Sequence, residues 1–336
     1  MSSLHNLHNP TPGKDSVIHI GTLLPDIMST YGDDGNALVL RERLRRRGYQ
    51  AEIIRITLQD DVPSSCNIYT MGGGEDVAQI LASKHLRTHR GLFTAVEAGR
   101  PLLAICAGLQ MLGEWFQVAD GSHAEGVGLL DVTTVPQATR SIGELVGTPL
   151  TEGLAEPFLT EPLMGFENHM GATVLGPDAR PLSRVKYGVG NSIPAGSSIP
   201  ATGLVDGAVQ GSIIATYMHG PCLARNPQLA DYLIAQVLGV PAAELAPLDI
   251  PAIPLLRKER LAAAKPPPTG TAKAQHSPIY VLHTVAPTYR KRALKRGKTT
   301  EVALPPLPLL PDTVMLSHAG VCDPNKGNLC QWCCNQ

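Results

Sequence analysis

The sequence predicts an α/β protein built on a central, mostly parallel sheet with flanking helices. Three observations predict it. Between Ser16 and Phe116, short uncharged β-rich runs alternate with longer helical segments, the order of a parallel sheet with right-handed crossovers. Several of those runs end at glycines or sharp turns, as strands feeding crossover helices do. The chain has 336 residues, 43% of them hydrophobic, enough for a substantial core.

Taken in order, Met1 to Asp15 is rich in Asn, Pro, Ser and His and is expected to be a flexible leader, residues 1–15. Val17 to Leu24 clusters aliphatic and β-branched residues as a strand does, and Pro25 ends it. The small and acidic loop Ser29 to Asn36 feeds a helix to about Arg47, closed by Gly48. Its Arg41, Arg43, Arg45, Arg46 and Arg47 read as a solvated face. Ala51 to Thr57 and Asn67 to Met71 are the next strands, the second running into Gly72-Gly73-Gly74. Val77 to Ala98 reads as one helix stopped by Gly99. Pro101 to Ile105 is a buried strand, with Cys106 and Gly108 at a sharp turn and Leu109 to Phe116 helical beyond it.

The second half is richer in short strands: Leu129–Val135, Ser141–Val146, Met164–Phe166, Ala172–Leu175 and Val185–Tyr187. Gly211 to Met218 is the last, ending at His219-Gly220-Pro221. Asn226-Pro227 opens a helix, cap then proline, that runs to about Leu238 with Gly239 as its stop. The folded domain is expected over residues 16–264. Residues 265–336, with Pro266-Pro267-Pro268, a basic cluster from Arg290 to Lys298 and a Pro-Leu repeat, read as a disordered tail. No internal repeat is present.

Twenty-eight basic against 29 acidic residues give a net charge of −1, which offers no global basic footprint for nucleic acid. No run is apolar for the eighteen or so residues a membrane span needs, and the polar start lacks a signal-peptide core. Seven cysteines, with Cys66, Cys106 and Cys222 scattered along the domain, read as reduced thiols. Together these predict a cytoplasmic protein.

The chemistry centres on Cys106. A nucleophile at a strand–turn–helix junction is pushed out of the sheet edge, and a helix N-terminus beneath it favours a thiolate. Attack on an acyl or amide carbon also needs a base and backbone donors for the oxyanion. His219, at another strand end, is the candidate base. The N–H of Ala107 and an N–H of Gly73 or Gly74 are the candidate donors. In a sheet of this kind ligands collect outside the carboxyl ends of the strands, where all of these residues should lie.

Cys106-Ala107-Gly108-Leu109-Gln110, Gly72-Gly73-Gly74 and Tyr217-Met218-His219-Gly220-Pro221 together resemble a class I glutamine amidotransferase of the cobyric acid synthase-like branch. Within that branch, Gly165-Phe166-Glu167-Asn168-His169 and Tyr31-Gly32-Asp33-Asp34-Gly35-Asn36 resemble the glutaminase subunits of lipid II isoglutaminyl synthases, over residues 16 to 260. The resemblance implies the flavodoxin-like fold with a nucleophile elbow. It implies hydrolysis of L-glutamine to glutamate and ammonia through a thioester on Cys106. Arg140 and Gln110 take substrate-binding roles in it, Arg140 through a two-bonded grip on the α-carboxylate. It also implies a heterodimer with a Mur-ligase-like partner that uses ATP and Mg to amidate the D-glutamate of the peptidoglycan stem peptide. That partner would contact lipid II and place the complex at the inner membrane face. No cofactor or metal is implied for this chain.

One departure stands out. Many class I glutaminases carry His-x-Glu, whereas Gly220 and Pro221 follow His219, so the orienting carboxylate is expected from elsewhere in the chain or from the partner. His169 is expected in a structural or pocket role. In the tail, Cys330-x-x-Cys333 is a permissible zinc half-site, but His318-x-x-x-Cys322 is irregular and a cysteine-bearing disordered tail is the expectation. Other readings are a corrin-amidating glutaminase, a cysteine hydrolase and a non-catalytic binding subunit. No Gly-x-x-x-x-Gly-Lys-Ser/Thr phosphate loop of the corrin enzymes occurs here, and retention of both Cys106 and His219 argues against lost chemistry.

Overall fold

The computed structural model describes residues 16–194, 196–197 and 203–264; the expected leader and the tail, with its zinc half-site and basic cluster, lie outside the described residues. The first sheet is built from β1 (Ile18–Leu23), β2 (Ala51–Ile56), β3 (Ile68–Met71) and β4 (Leu102–Ile105). Between them lie α1 (Gly35–Arg46), α2 (Asp76–Thr88), α3 (Gly91–Glu97) and α4 (Ala107–Leu112). Then come β5 (Trp115–Gln117), β6 (His123–Glu125), β7 (Val132–Pro149), β8 (Leu163–Leu175), β9 (Ser183–Tyr187), β10 (Val205–Asp206), β11 (Ala208–Gln210) and β12 (Ile213–Thr216). Three helices close the domain: α5 (Cys222–Arg225), α6 (Pro227–Leu238) and α7 (Ala252–Ala263).

Six strands form the first sheet in the order β11-β12-β4-β3-β1-β2. All neighbours are parallel except β11 and β12. β3, β4 and β12 are buried along their whole length, which is why they read as unbroken apolar runs and not as alternating ones. The parallel register sets Thr216 beside Ile105 and Met71 beside Ala104, so the carboxyl ends of β3, β4 and β12 open at one edge. The expected mostly parallel α/β architecture is therefore observed.

Beside it stands a second sheet, β10-β9-β7-β5-β6 with β8 on β7. Here the sequence reading needs correction. The four short strands expected between 129 and 175 belong to just two long ones, β7 and β8, paired antiparallel with an irregularity between Pro136 and Ser141. Glu167 and His169 hid the continuity, because polar residues on a strand's buried face break the apolar alternation.

Three helix readings also change. The single helix expected over Val77–Ala98 is split into α2 and α3. A Cβ at Gly91 would lie 1.7 Å from the Val62 carbonyl oxygen, so the chain passes there only as glycine. The helix expected over Leu109–Phe116 ends at Leu112, because Gly113 abuts the Val132 carbonyl and Trp115 and Phe116 leave to join the second sheet. Asn226 makes no side-chain cap for α6; its carboxamide instead bonds the backbone N–H and C=O of Met164 on β8. Pro at the first turn and left-handed Gly239 do bound α6 as expected.

α1 presents Ala37, Leu40 and Leu44 to the core, spacings that define one helical stripe. Its arginines are not one solvated face. Arg43 is 4% exposed and holds Asp231 of α6 in a two-bonded grip at 2.9 and 2.6 Å, with Arg47 3.0 Å from the same carboxylate. Asp231→Ala leaves both guanidiniums without this acceptor. It is expected to cost about 3 kcal/mol, a fall of roughly 6–12 °C in melting temperature by calorimetry, with the strand-edge site intact.

Candidate active site

Cys106 follows β4 and stands at the N-terminus of α4 with φ 53° and ψ −108°. Few non-glycine residues tolerate positive φ, and holding one there costs about 1–3 kcal/mol, so the surrounding bonds must enforce it. They do so through Cys106 N–H, which donates to Thr216 O at 2.8 Å, and Cys106 O, which accepts from Gln110 N–H at 3.1 Å. The first bond ties the nucleophile turn to the strand that leads to His219. His219 is held in turn by two backbone bonds to Phe166 of β8, at 2.8 and 3.2 Å.

The side chains of Cys106, His219 and Asp33 meet around Gly73. A Cβ built there would lie 3.0 Å from His219 Cε1, 3.6 Å from Cys106 Cβ and 3.6 Å from Asp33 Oδ2. Asp33 is the missing carboxylate: its Oδ2 accepts from His219 Nδ1 at 2.8 Å and from Gly73 N–H at 2.9 Å. The acid thus comes from this chain, and no partner is needed to complete the set. Because Nδ1 is the donor to Asp33, Nε2 is left for the Cys106 side of the ring.

The sequence located the loop but not this role for Asp33, since carboxylate and imidazole lie 186 residues apart. What delivers Asp33 is close packing. A Cβ at Gly35 would strike Pro221 Cγ at 2.4 Å, and Asn36 bridges the Asp33 carbonyl to the Leu223 N–H. The loop before α1 is thereby clamped to the turn after His219.

Of the expected oxyanion donors, Gly73 is excluded, because its N–H is spent on Asp33. Gly74 and Ala107 line the cavity beside Cys106 and remain as the candidate donors. That cavity has a volume of about 590 Å³, room for a free amino acid, and Arg140, Gln110 and His169 also line it. Arg140 projects from the irregular turn of β7 and donates to Asn168 Oδ1 at 2.8 Å. Gln110 is 8% exposed, and its Nε2 donates to the Tyr217 hydroxyl at 3.0 Å, so its amide nitrogen is already engaged. His169 is pinned by Gly171 O and Glu167 and stacks on Tyr217 with centroids 3.8 Å apart, which fits the structural role expected of it. Among the described residues no group of three or more His, Cys, Asp or Glu side chains is placed to hold a metal.

Residues 19–227 match the CobB/CobQ-like glutamine amidotransferase domain. The chain belongs to that family. It is similar to the lipid II isoglutaminyl synthase (glutamine-hydrolyzing) subunit GatD of Staphylococcus aureus, 33% identical over 213 residues, 63% of this chain and 80% of that protein. The corresponding Streptococcus pneumoniae subunit is 31% identical over 224 residues, 66% of this chain and 80% of that one. A cobyric acid synthase of Sphingopyxis alaskensis is 29% identical over 194 residues, covering 55% of this chain and 35% of the synthase.

In this glutamine amidotransferase burial alone would lower the proton affinity of His219. The hydrogen bond to Asp33 and the adjacent Cys106 outweigh it and push the pKa from 6.5 up to about 10. A raised pKa favours the protonated ring in the fold, so its contribution to stability is complete below pH 6.5 and fades as pH climbs towards 10. In Asp33→Asn the ring loses its anionic partner. Followed by NMR of its Cε1 proton, the His219 titration is expected to move to lower pH; an unmoved midpoint would show that Asp33 does not support the imidazolium.

Proposed function

We propose that this glutamine amidotransferase is the glutaminase subunit of a lipid II isoglutaminyl synthase. The arrangement of Cys106, His219 and Asp33 around Gly73 carries the chemistry. The likeness to the two GatD subunits, each covered over 80% of its length, supports the biological setting.

Arg140 holds the α-carboxylate of glutamine and directs its carboxamide to the strand edge. His219, its proton affinity raised by Asp33 and Cys106, holds on Nε2 the proton taken from Cys106, and the sulfur attacks the carboxamide carbon. The tetrahedral oxyanion is met by the N–H groups of Gly74 and Ala107. His219 returns its proton to the nitrogen as the C–N bond breaks, releasing ammonia and leaving a thioester on Cys106. Water, deprotonated by the same imidazole, then hydrolyses the thioester to glutamate and frees the thiol. Asp33 keeps the proton of His219 on Nδ1 and stabilises the imidazolium each time it forms.

The ammonia goes to a Mur-ligase-like partner in a heterodimer, which spends ATP with Mg to amidate the D-glutamate of the stem peptide of lipid II. This chain takes no cofactor of its own. It works in the cytoplasm, at the inner membrane face through lipid II; no helix among the described residues is long and apolar enough to cross a membrane.

Ammonia release from glutamine, with and without the ligase, tests the reading alongside amidation of lipid II by the pair. Cys106→Ala is expected to abolish ammonia release while leaving amidation driven by free ammonia. Asp33→Asn is expected to lower kcat by roughly 10²–10⁴. Wild-type protein that releases no ammonia in either setting would overturn it.

A further inference from the structure

Asn168 lies on β8 with its carboxamide in the cavity wall. Its Oδ1 accepts from Arg140 Nη1 at 2.8 Å, and its Nδ2 donates to the Tyr31 hydroxyl. The orientation of the amide is fixed by chemistry, since a guanidinium only donates and must face the oxygen. Tyr31 in turn sets its ring edge-on to His219, with centroids 4.9 Å apart, and adopts φ 62°. One carboxamide therefore ties the cation on β7 to the loop that carries Asp33.

The partner of Arg140 is neutral. Arg43, Arg87, Arg225 and Arg257 each pair with a carboxylate, whereas Arg140, like Arg45, Arg90 and Arg180, makes its contact with a neutral group. An amide oxygen orients a guanidinium as a carboxylate oxygen would, but it leaves the positive charge uncompensated. A site for an anionic group needs that charge free.

We propose that Asn168 is a positioning residue for the substrate's α-carboxylate, and that it must be neutral: it aims the Arg140 guanidinium into the cavity without neutralising it. The proposal deepens the assignment of Arg140 made above and rests on it. Its distinctive consequence is an inverted order of substitutions. If Asn168 merely fills space or supplies an acceptor, Asp is its closest substitute and should be milder than Ala. If it preserves a free cation, Asp is the worse of the two.

The test uses the full chain and two alkylators of Cys106. 6-Diazo-5-oxo-L-norleucine carries the α-carboxylate of glutamine, and iodoacetamide does not. Asn168→Ala is expected to slow labelling by the norleucine reagent about three- to tenfold, the loss of one hydrogen bond to a charged group from an open site. Asn168→Asp is expected to slow it more than tenfold, because a carboxylate beside the guanidinium competes with that of the reagent. Labelling by iodoacetamide should stay within about twofold in both, which also reports an intact fold. The proposal falls if Asn168→Asp labels as fast as wild type or faster than Asn168→Ala, or if both reagents slow in parallel. Arg140→Ala separates the two levels. Should it leave norleucine labelling unchanged, the Arg140 assignment fails and the proposal with it; should it slow labelling while Asn168→Asp does not, the proposal alone fails.

Discussion

A single carboxylate oxygen holds this site together. Asp33 Oδ2 accepts from the imidazole of His219 and from the backbone of Gly73, so one atom joins the end of β12 to the glycine loop after β3 and to the loop after β1. Much of the local sequence is explained by the need to bring that oxygen in. Gly72 has no room for a side chain, because a Cβ would sit 2.5 Å from Met28 O and 2.8 Å from Asp33 Cβ. At Gly73 a Cβ would crowd His219 Cε1 at 3.0 Å, and its N–H, turned to the carboxylate, cannot also serve an oxyanion. The glycine triplet thus combines close packing, anchorage and, at Gly74, a place in the cavity wall.

The second sheet acts as a jig for the first. From β8, Phe166 grips the backbone of His219, Asn168 holds Arg140 and His169 supports Tyr217, which in turn holds Gln110. Glu167 anchors the strand from behind, accepting the N–H groups of Val189 and Gly190 at 2.8 Å each. Asn168 and His169 both line the cavity, while Glu167 organises the interior behind them. A buried polar network of this kind is favourable only when its members find partners, and the carboxylate of Glu167 and the ring of His169 do.

What could be read from the sequence was what local chemistry writes. Cys106 and His219 each follow a strand and precede a turn, and glycines mark the loop between them in space, so three of the strand ends were legible. Asp33 was not, although its loop was recognised, because nothing within a few residues of an aspartate tells which imidazole it will meet across the fold. The same limit hid Arg43, whose neighbours on α1 look like a solvated run until Asp231 arrives from α6. It hid β8 as well, where the polar residues that organise the site interrupt the alternation that announces a strand. The close approach of Gly91 to Val62, beside the break between α2 and α3, is likewise a tertiary fact with no local signature.

The placement of β12 has a bearing on synthesis. In the finished sheet β12 lies between β4 and β11, and it delivers the imidazole. While the ribosome is still building the second sheet, β4 has no neighbour on that side and Cys106 lacks the Thr216 carbonyl that helps hold its turn. Until β12 is made the chain also lacks His219, so the strand-edge site is assembled only when this last strand joins the sheet.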